Sequence, residues 1–331
     1  MPSLVSANPA IDSPAPARGL PRSPEREPEG CAGTLSRMTL GTVQFGLPYG
    51  VANSTGCPSF DSICALLRRA HEGGINVLDT AACYGESEQV LGRALAITGL
   101  RDAFHVVTKV EPLSPGLSSA EAARRIEASV TRSLAHLGLE RLEICLFHRE
   151  HNISYADELI ALRDRGLIGA GGVSLVNPEF AKKALALPEL TVWQVPSNLL
   201  DRRYTHSGLL ASAKRQGTTI FARSVYLQGL LLMTDEATPD ALREVEQPRR
   251  RLREIARAFD LPLAEFAVRA MLSRDDLDSV LVGVETVPQL EQNLAHFRKG
   301  PLPQPVLAAL EAFEPAVSDI LVNPTLWPQN K

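Results

Sequence analysis

Three observations predict an α/β fold, a closed parallel (β/α)8 barrel of the TIM type with extra C-terminal helices, over residues 36–316. From Met38 onward, short apolar runs alternate with amphipathic helical stretches. Eight such pairs can be counted, and that alternation implies parallel strands, right-handed crossovers and closure. The glycine fingerprint of the competing open doubly wound sheet is missing from its place after the first strand. Its nearest lookalike, GAGGVS, has Gly169 and Gly171 but Ser174 where the third glycine belongs, and it lies in a late strand candidate.

In order, the strands are predicted at MTLGTV, NVLDT, FHVVTK, RLEICLFH, AGGVS, TVWQV, TTIFARS and SVLVG. The intervening helices are expected to begin near Phe60, Glu86, Ser119, Tyr155, Pro178, Ser207, Glu246 and Thr286. Most show apolar residues at three- and four-residue spacing, as in Ile126, Val130, Leu134 and Leu137. Two further helical pieces, 263–272 and 305–313, do not fit the repeat and are expected outside the barrel or capping it. Residues 1–35 carry seven prolines and almost no periodic hydrophobicity. Such a segment buries too little apolar surface to offset its ordering entropy and is read as a disordered extension. Residues 317–331 form a tail expected near the barrel mouth.

The 331 residues are 44% hydrophobic and 22% charged, with a formal net charge of -4. That balance offers no basic field for a phosphate backbone, so nucleic acid is not an expected partner. The densest basic cluster, Arg249, Arg250, Arg251 and Arg253, reads as a solvated helix face. No apolar run reaches the length of a membrane span, and the N-terminus lacks the charge and apolar core of a secretory signal. The five cysteines are scattered without a CxxC pair, as expected of reduced thiols in a cytoplasmic protein.

In a barrel, the C-terminal strand ends build the active site. Those ends carry Asp79, Lys109 and His148 on three consecutive strands, with Tyr84 in the loop just after Asp79. Neighbouring strands lie about 4.8 Å apart, so the four side chains can converge. A tyrosine is a poor acid at neutral pH. A nearby ammonium is expected to stabilise the phenolate and lower that pKa, while a carboxylate keeps the lysine charged. A histidine on the next strand can orient a substrate oxygen, and proton donation to a developing alkoxide is what carbonyl reduction requires. His148 and His151 in HREH lack a completing carboxylate or thiolate cluster, so no metal is expected.

The stretches LGTVQFGLPYGVAN and GINVLDTAACYGESEQVLGRAL, continued by VVTK, LFH, GGVS, VWQVPSN, SVYLQGLL and LVGVETVPQLEQNL, resemble the aldo-keto reductase family over roughly residues 38–297. The resemblance implies that Asp79, Tyr84, Lys109 and His148 are the catalytic tetrad. It also implies a cofactor, NADP(H) with NAD(H) as a second form, lying extended across the mouth. Gly41, Thr42 and Asp79 would contact it, and Ser174 and Gln194 would hold the nicotinamide carboxamide. Leu175 stands where an asparagine normally assists. The turn from Ser224 to Leu230, including Leu227 and Gly229, would line the pyrophosphate. Gly283, Gln289 and Asn293 match the adenosine end, and Thr286 opens a helix whose free N–H groups favour an anion. Arg223 stands where many relatives place an aromatic ring, and a guanidinium can also stack on a ring.

The expected function is therefore hydride transfer between NADP(H) and a carbonyl or alcohol, either an aldehyde, a ketone or a sugar, with Tyr84 as general acid and base. The alternatives are a redox-neutral sugar epimerase or isomerase, and a non-catalytic cofactor-binding regulatory barrel. Neither membrane nor nucleic acid is an expected partner, and the expected state is a monomer or small homo-oligomer. The loop after His148 is short, whereas residues 231–248 and the C-terminal tail are the segments expected over the pocket, with Trp327 of that tail expected to pack on the surface.

Overall fold

The computed structural model describes residues 34–328, so most of the expected N-terminal extension lies outside the described residues. Eight parallel strands close in sequence order: β1 (Met38–Gly41), β2 (Val77–Asp79), β3 (His105–Val110), β4 (Leu142–Phe147), β5 (Ile168–Ser174), β6 (Leu190–Pro196), β7 (Thr219–Arg223) and β8 (Ser279–Gly283). β8 pairs back onto β1 through Met38 opposite Val280 and Gly41 opposite Gly283. All eight strands fall where the apolar runs predict them.

Helices follow the strands: α1 (Phe60–Glu72), α2 (Ser87–Thr98), α3 (Ser119–Leu137), α4 (Ala156–Asp164), α5 (Pro178–Ala184), α6 (Leu209–Arg215), α7 (Glu246–Ala258), α8 (Leu263–Leu272), α9 (Val287–Arg298) and α10 (Gln304–Glu311). Their ends obey local chemistry. Ser59 and Ser118 accept the backbone N–H groups of Ser62 and Glu121 to cap α1 and α3, and Gly138 closes α3 in the left-handed region that glycine tolerates. The expected helix count needs one correction. The 263–272 piece is not outside the ring: α8 packs on β8 and α9, whereas α7 lies on α8 and its own preceding turn. The extra helix is α7, because a charged first turn and a long loop from β7 carry it away from the sheet.

A second correction concerns the arginine cluster of α7. Arg250 and Arg251 are exposed, but Arg249 is fully buried and donates to Leu230 O, Thr238 Oγ1 and Asp235 Oδ1. It ties the long β7–α7 loop to the helix. Helical spacing alone did not separate this inward position from its solvated neighbours.

Inside the barrel, the period of two along each strand sorts side chains into layers. Leu35, Val77, Val107, Ile144, Leu146, Ala170, Val192 and Phe221 fill the lower interior. Two residues further along their strands stand Asp79, Lys109, His148, Gln194 and Arg223, and four beyond Ala170 stands Ser174. An apolar plug thus ends in a polar layer at the mouth. Gly172 passes between Ala170 and Ser174 on β5, and a Cβ there would meet Val192 O at 1.9 Å. β5 and β6 shift register at this point, so only glycine fits.

Candidate active site

A cleft of about 970 Å³ opens at the C-terminal strand ends. Asp79, Tyr84 and His148 line it, and Lys109 lies buried directly behind them. Lys109 Nζ donates to both Asp79 carboxylate oxygens and to Thr80 O, each at 2.8 Å. Asp79 also accepts from Gln194 Nε2 at 2.7 Å. The ammonium stands 5.2 Å from the centre of the Tyr84 ring, and the Tyr84 and His148 rings meet edge to face at 5.6 Å. The structure therefore brings all four residues to one point.

The electrostatics depart from expectation at the tyrosine. The ammonium was expected to lower the Tyr84 pKa, yet burial and the Asp79 charge push it well above its usual value. Lys109 is pinned by its carboxylate partner, so its charge is largely offset at the phenol. The phenol is thereby held protonated. His148 moves the other way, down to about 3, through burial and repulsion from Lys109, Arg149 and Arg223. A neutral imidazole can donate from one nitrogen and accept at the other.

The residues expected to contact a cofactor divide into two groups. Gly41, Thr42, Ser174, Gln194, Arg223, Ser224, Gly229, Gly283, Gln289 and Asn293 line the cleft. Leu227 does not: it is fully buried in the core with a left-handed backbone, and its neighbours Tyr226 and Gln228 face the cleft instead. Thr286 is also absent from the lining. Its hydroxyl accepts Gln289 N, while Gln289 Oε1 accepts Glu285 N and Thr286 N, a reciprocal capping box at the start of α9. Asn293 is likewise engaged, accepting from Tyr226 Oη at 2.6 Å and donating to Gln289 O. These side chains first serve the helix that they start.

Sequence reasoning missed three neighbours. Gln44, just past β1, is almost fully buried, lines the cleft and leaves Oε1 without a partner. A Cβ on Gly283 would lie 2.8 Å from its amide, so the bare glycine is what leaves Gln44 room. Cys83 Sγ sits 3.2 Å from His148 Nδ1. Arg149, next to His148, also faces the cleft. Only Arg149 left a usable signal, a charge beside a strand-end histidine. The C-terminal segment reaches the mouth through Asn323, Pro324 and Thr325, while Trp327 is buried and donates to Ile320 O and Leu321 O.

The lining fits an extended, polar dinucleotide. Besides the unpartnered buried amide of Gln44, the Ser174 hydroxyl makes no hydrogen bond among the described residues. Gly41 and Gly283 keep the floor free of side chains. Among the described residues, no group of three or more histidine, cysteine or acidic side chains is placed to hold a metal ion, and no helix is long and apolar enough to cross a membrane.

Comparison with known proteins agrees. L-glyceraldehyde 3-phosphate reductase of Escherichia coli (strain K12) is 30% identical over 274 residues, covering 71% of this chain and 79% of that protein. D-threo-aldose 1-dehydrogenase of Pseudomonas sp is 28% identical over 309 residues, covering 81% and 91%. A solved structure assigned to the aldo-keto reductases, from Pseudomonas aeruginosa, superposes with a TM-score of 0.59 at 26% identity, covering 86% of this chain and 99% of that one. The model of the aldo/keto reductase family matches residues 37–315, and this chain belongs to that family of oxidoreductases.

Proposed function

We propose that this chain reduces a small aldehyde, ketone or sugar carbonyl, with NADP(H) as cofactor and Tyr84 as the proton donor. The observation that carries this reading is the convergence of Tyr84, His148 and the buried Lys109–Asp79 pair at one point of the cleft. When bound, the reduced nicotinamide supplies the hydride. Gly41, Thr42, Ser174, Gln194 and Gly283 are the residues that would hold it, with Gln44 as an added partner.

The protein's own part is proton placement. A carbonyl oxygen entering between Tyr84 and His148 meets a phenol that burial keeps protonated and an imidazole that is neutral. His148 donates a hydrogen bond that orients the oxygen, and Tyr84 releases its proton as negative charge grows there. Lys109, whose ammonium stands 5.2 Å from the centre of the Tyr84 ring, and Arg223 are the cations that would face the phenolate so formed. Asp79 and Thr80 O keep the ammonium fixed, so little reorganisation accompanies the step. By microscopic reversibility, the same groups take a proton from an alcohol in the opposite direction.

The named activities of the two relatives, on a phosphorylated aldehyde and on an aldose, fit a carbonyl substrate of this kind. The test is a panel of aldehydes, ketones and aldoses incubated with NADPH or NADH and followed by reduced-nicotinamide absorbance. Turnover of at least one carbonyl, lost in Tyr84→Phe, is expected. Absence of cofactor oxidation across the panel would overturn the reading.

A further inference from the structure

We propose that the substrate of this site carries an anionic group, a carboxylate or a phosphate, held at the mouth by Arg149 and Arg223. The inference rests on the carbonyl-reducing reading and names its substrate class. Arg149 directly follows His148 at the end of β4, and Arg223 ends β7; both line the cleft beside Tyr84 and His148. Among the described residues, neither guanidinium has a carboxylate partner. Arg149 makes no side-chain hydrogen bond among the described residues. Arg223 donates only to Leu175 O at 3.0 Å and Ser224 Oγ at 3.3 Å, and its buried Nε has no partner.

Of the acids lining the cleft, Glu285 at the β8 end makes no salt bridge with either guanidinium, and the other two are already engaged. Asp79 is held by Lys109, and Glu150 Oε2 accepts Val176 N and Asn177 N at 2.6 and 2.8 Å. Elsewhere in the molecule buried and part-buried arginines are paired either with a carboxylate, as Arg203 with Asp201 and Arg274 with Asp276, or with backbone oxygens, as Arg202 with Leu310 O and Arg37 with Leu272 O and Leu277 O. Two cations share one cleft here without a carboxylate partner. Both also repel a proton from His148, so both act electrostatically at the point where the substrate oxygen would bind. Arg223, part-buried with an unpartnered Nε, holds a charge partly kept from water at a cost. Exposed Arg149 adds a second cation at the same mouth, and a planar guanidinium fork matches carboxylate and phosphate oxygens. An anionic substituent on the substrate supplies the missing partner.

The rival ligand is a phosphate of the cofactor. Arg223 adjoins the turn at Ser224 where the resemblance places the pyrophosphate, so it alone cannot separate the two. Arg149 can. In the closed ring β4 lies four strands from β8, on the opposite side of the mouth from the adenosine end.

The experiment is isothermal titration of the protein saturated with NADP+, using glycerol 3-phosphate, D-glycerate and glycerol as product-like ligands. It is repeated on Arg149→Gln, and NADP+ affinity is measured for both proteins. Arg149 is exposed, so the substitution removes charge with little packing. The anions are expected to bind at least tenfold more tightly than glycerol, and Arg149→Gln to erase roughly ten- to hundredfold of that difference, the range of one charge-assisted hydrogen bond. The tighter anion tells phosphate from carboxylate. Equal binding of charged and neutral ligands overturns the inference. So does an Arg149→Gln protein that loses NADP+ affinity while its anion preference stands. Turnover of glyceraldehyde and its 3-phosphate separates the two levels. Arg149-dependent anion binding without turnover of either aldehyde or of any carbonyl in the panel would sink the reductive reading and keep this inference. Equal kcat/KM for both would keep the reading and sink the inference.

Discussion

The two ends of the mouth are built on different terms. At the ends of β2, β3 and β4, the polar side chains bond chiefly to one another: Lys109 to Asp79, Asp79 to Gln194, Cys83 to His148. Where β8 meets α9, they bond to the backbone and to the helix: Thr286 and Gln289 cap α9, and Asn293 closes on Tyr226 and Gln289 O. The first end is a reaction centre assembled in advance. The second is a helix start whose residues have little hydrogen-bonding capacity left over. Residue types that look alike in sequence therefore carry different weight in the two places.

The largest expected effect falls at the first end. Tyr84→Phe should lower kcat for carbonyl reduction by about 10²–10⁴-fold, the range for loss of a general acid. Cofactor affinity, read by fluorescence titration, should persist because the ring remains. Near-normal turnover would remove the contrast between the two ends.

Next comes the buried pair. Lys109→Met leaves Asp79, itself only 4% exposed, without its counter-charge. Breaking such a pair costs about 3–5 kcal/mol. Chemical denaturation should show that loss, and Lys109→Met with Asp79→Asn should recover part of it. A single variant as stable as the wild type would show that the pair tolerates water.

Acidification gives a third, intermediate effect. The imidazole of His148 takes its proton near pH 6.5 in the unfolded chain and only near pH 3 in the folded one. Between those values the unfolded state binds more protons, so stability is retained above about pH 6.5 and declines as pH falls toward 3. A His148→Gln protein should lose less stability than the wild type over the same window, as followed by thermal melts. Parallel curves would mean that His148 is protonated in the folded state as readily as in the unfolded one.

The smallest effect belongs to the second end. No lysine or arginine from β8 or α9 lines the cleft, and Glu285 does. The preference for NADPH over NADH should therefore be modest. Glu285→Lys should tighten NADPH by about fivefold, on the order of 1 kcal/mol, and leave NADH nearly unchanged. Competitive titration of the wild type decides this: a hundredfold preference for NADPH would require a cation from elsewhere in the chain.

The same contrast explains what was legible in the sequence. The eight strands stood out because barrel strands are short apolar runs, and Asp79, Lys109 and His148 could be placed because each ends or follows one. A period of two fixes their inward direction. The second end was harder to read. Thr, Gln and Asn at a helix start suit anion binding and capping equally well, and only the hydrogen-bond geometry tells which is served. Leu227 was misplaced because a turn with three left-handed non-glycine residues, Ser224, Leu227 and Gln228, has no periodicity to project. Gln44, although it directly follows the first predicted strand, has no charge or acid–base chemistry to mark it, and Cys83 lies in a loop. The exchanged roles of α7 and α8 arose because both are amphipathic, and packing against β8 is what distinguishes them.

Gln194 ends in an amide that donates to Asp79, and β6 lies diametrically across the ring from β2. The polar layer is thus cross-braced through the barrel axis, from β6 to β2 and on through Asp79 to Lys109 on β3. Residues joined this way do not act as independent parts. Substitutions at Gln194 and Lys109 should have non-additive effects even though their strands, β6 and β3, are not neighbours in the ring. Altering the wall proposed to hold the nicotinamide then retunes the proton-donating wall as well, so selection on cofactor fit and selection on acid strength would operate on a single linked trait.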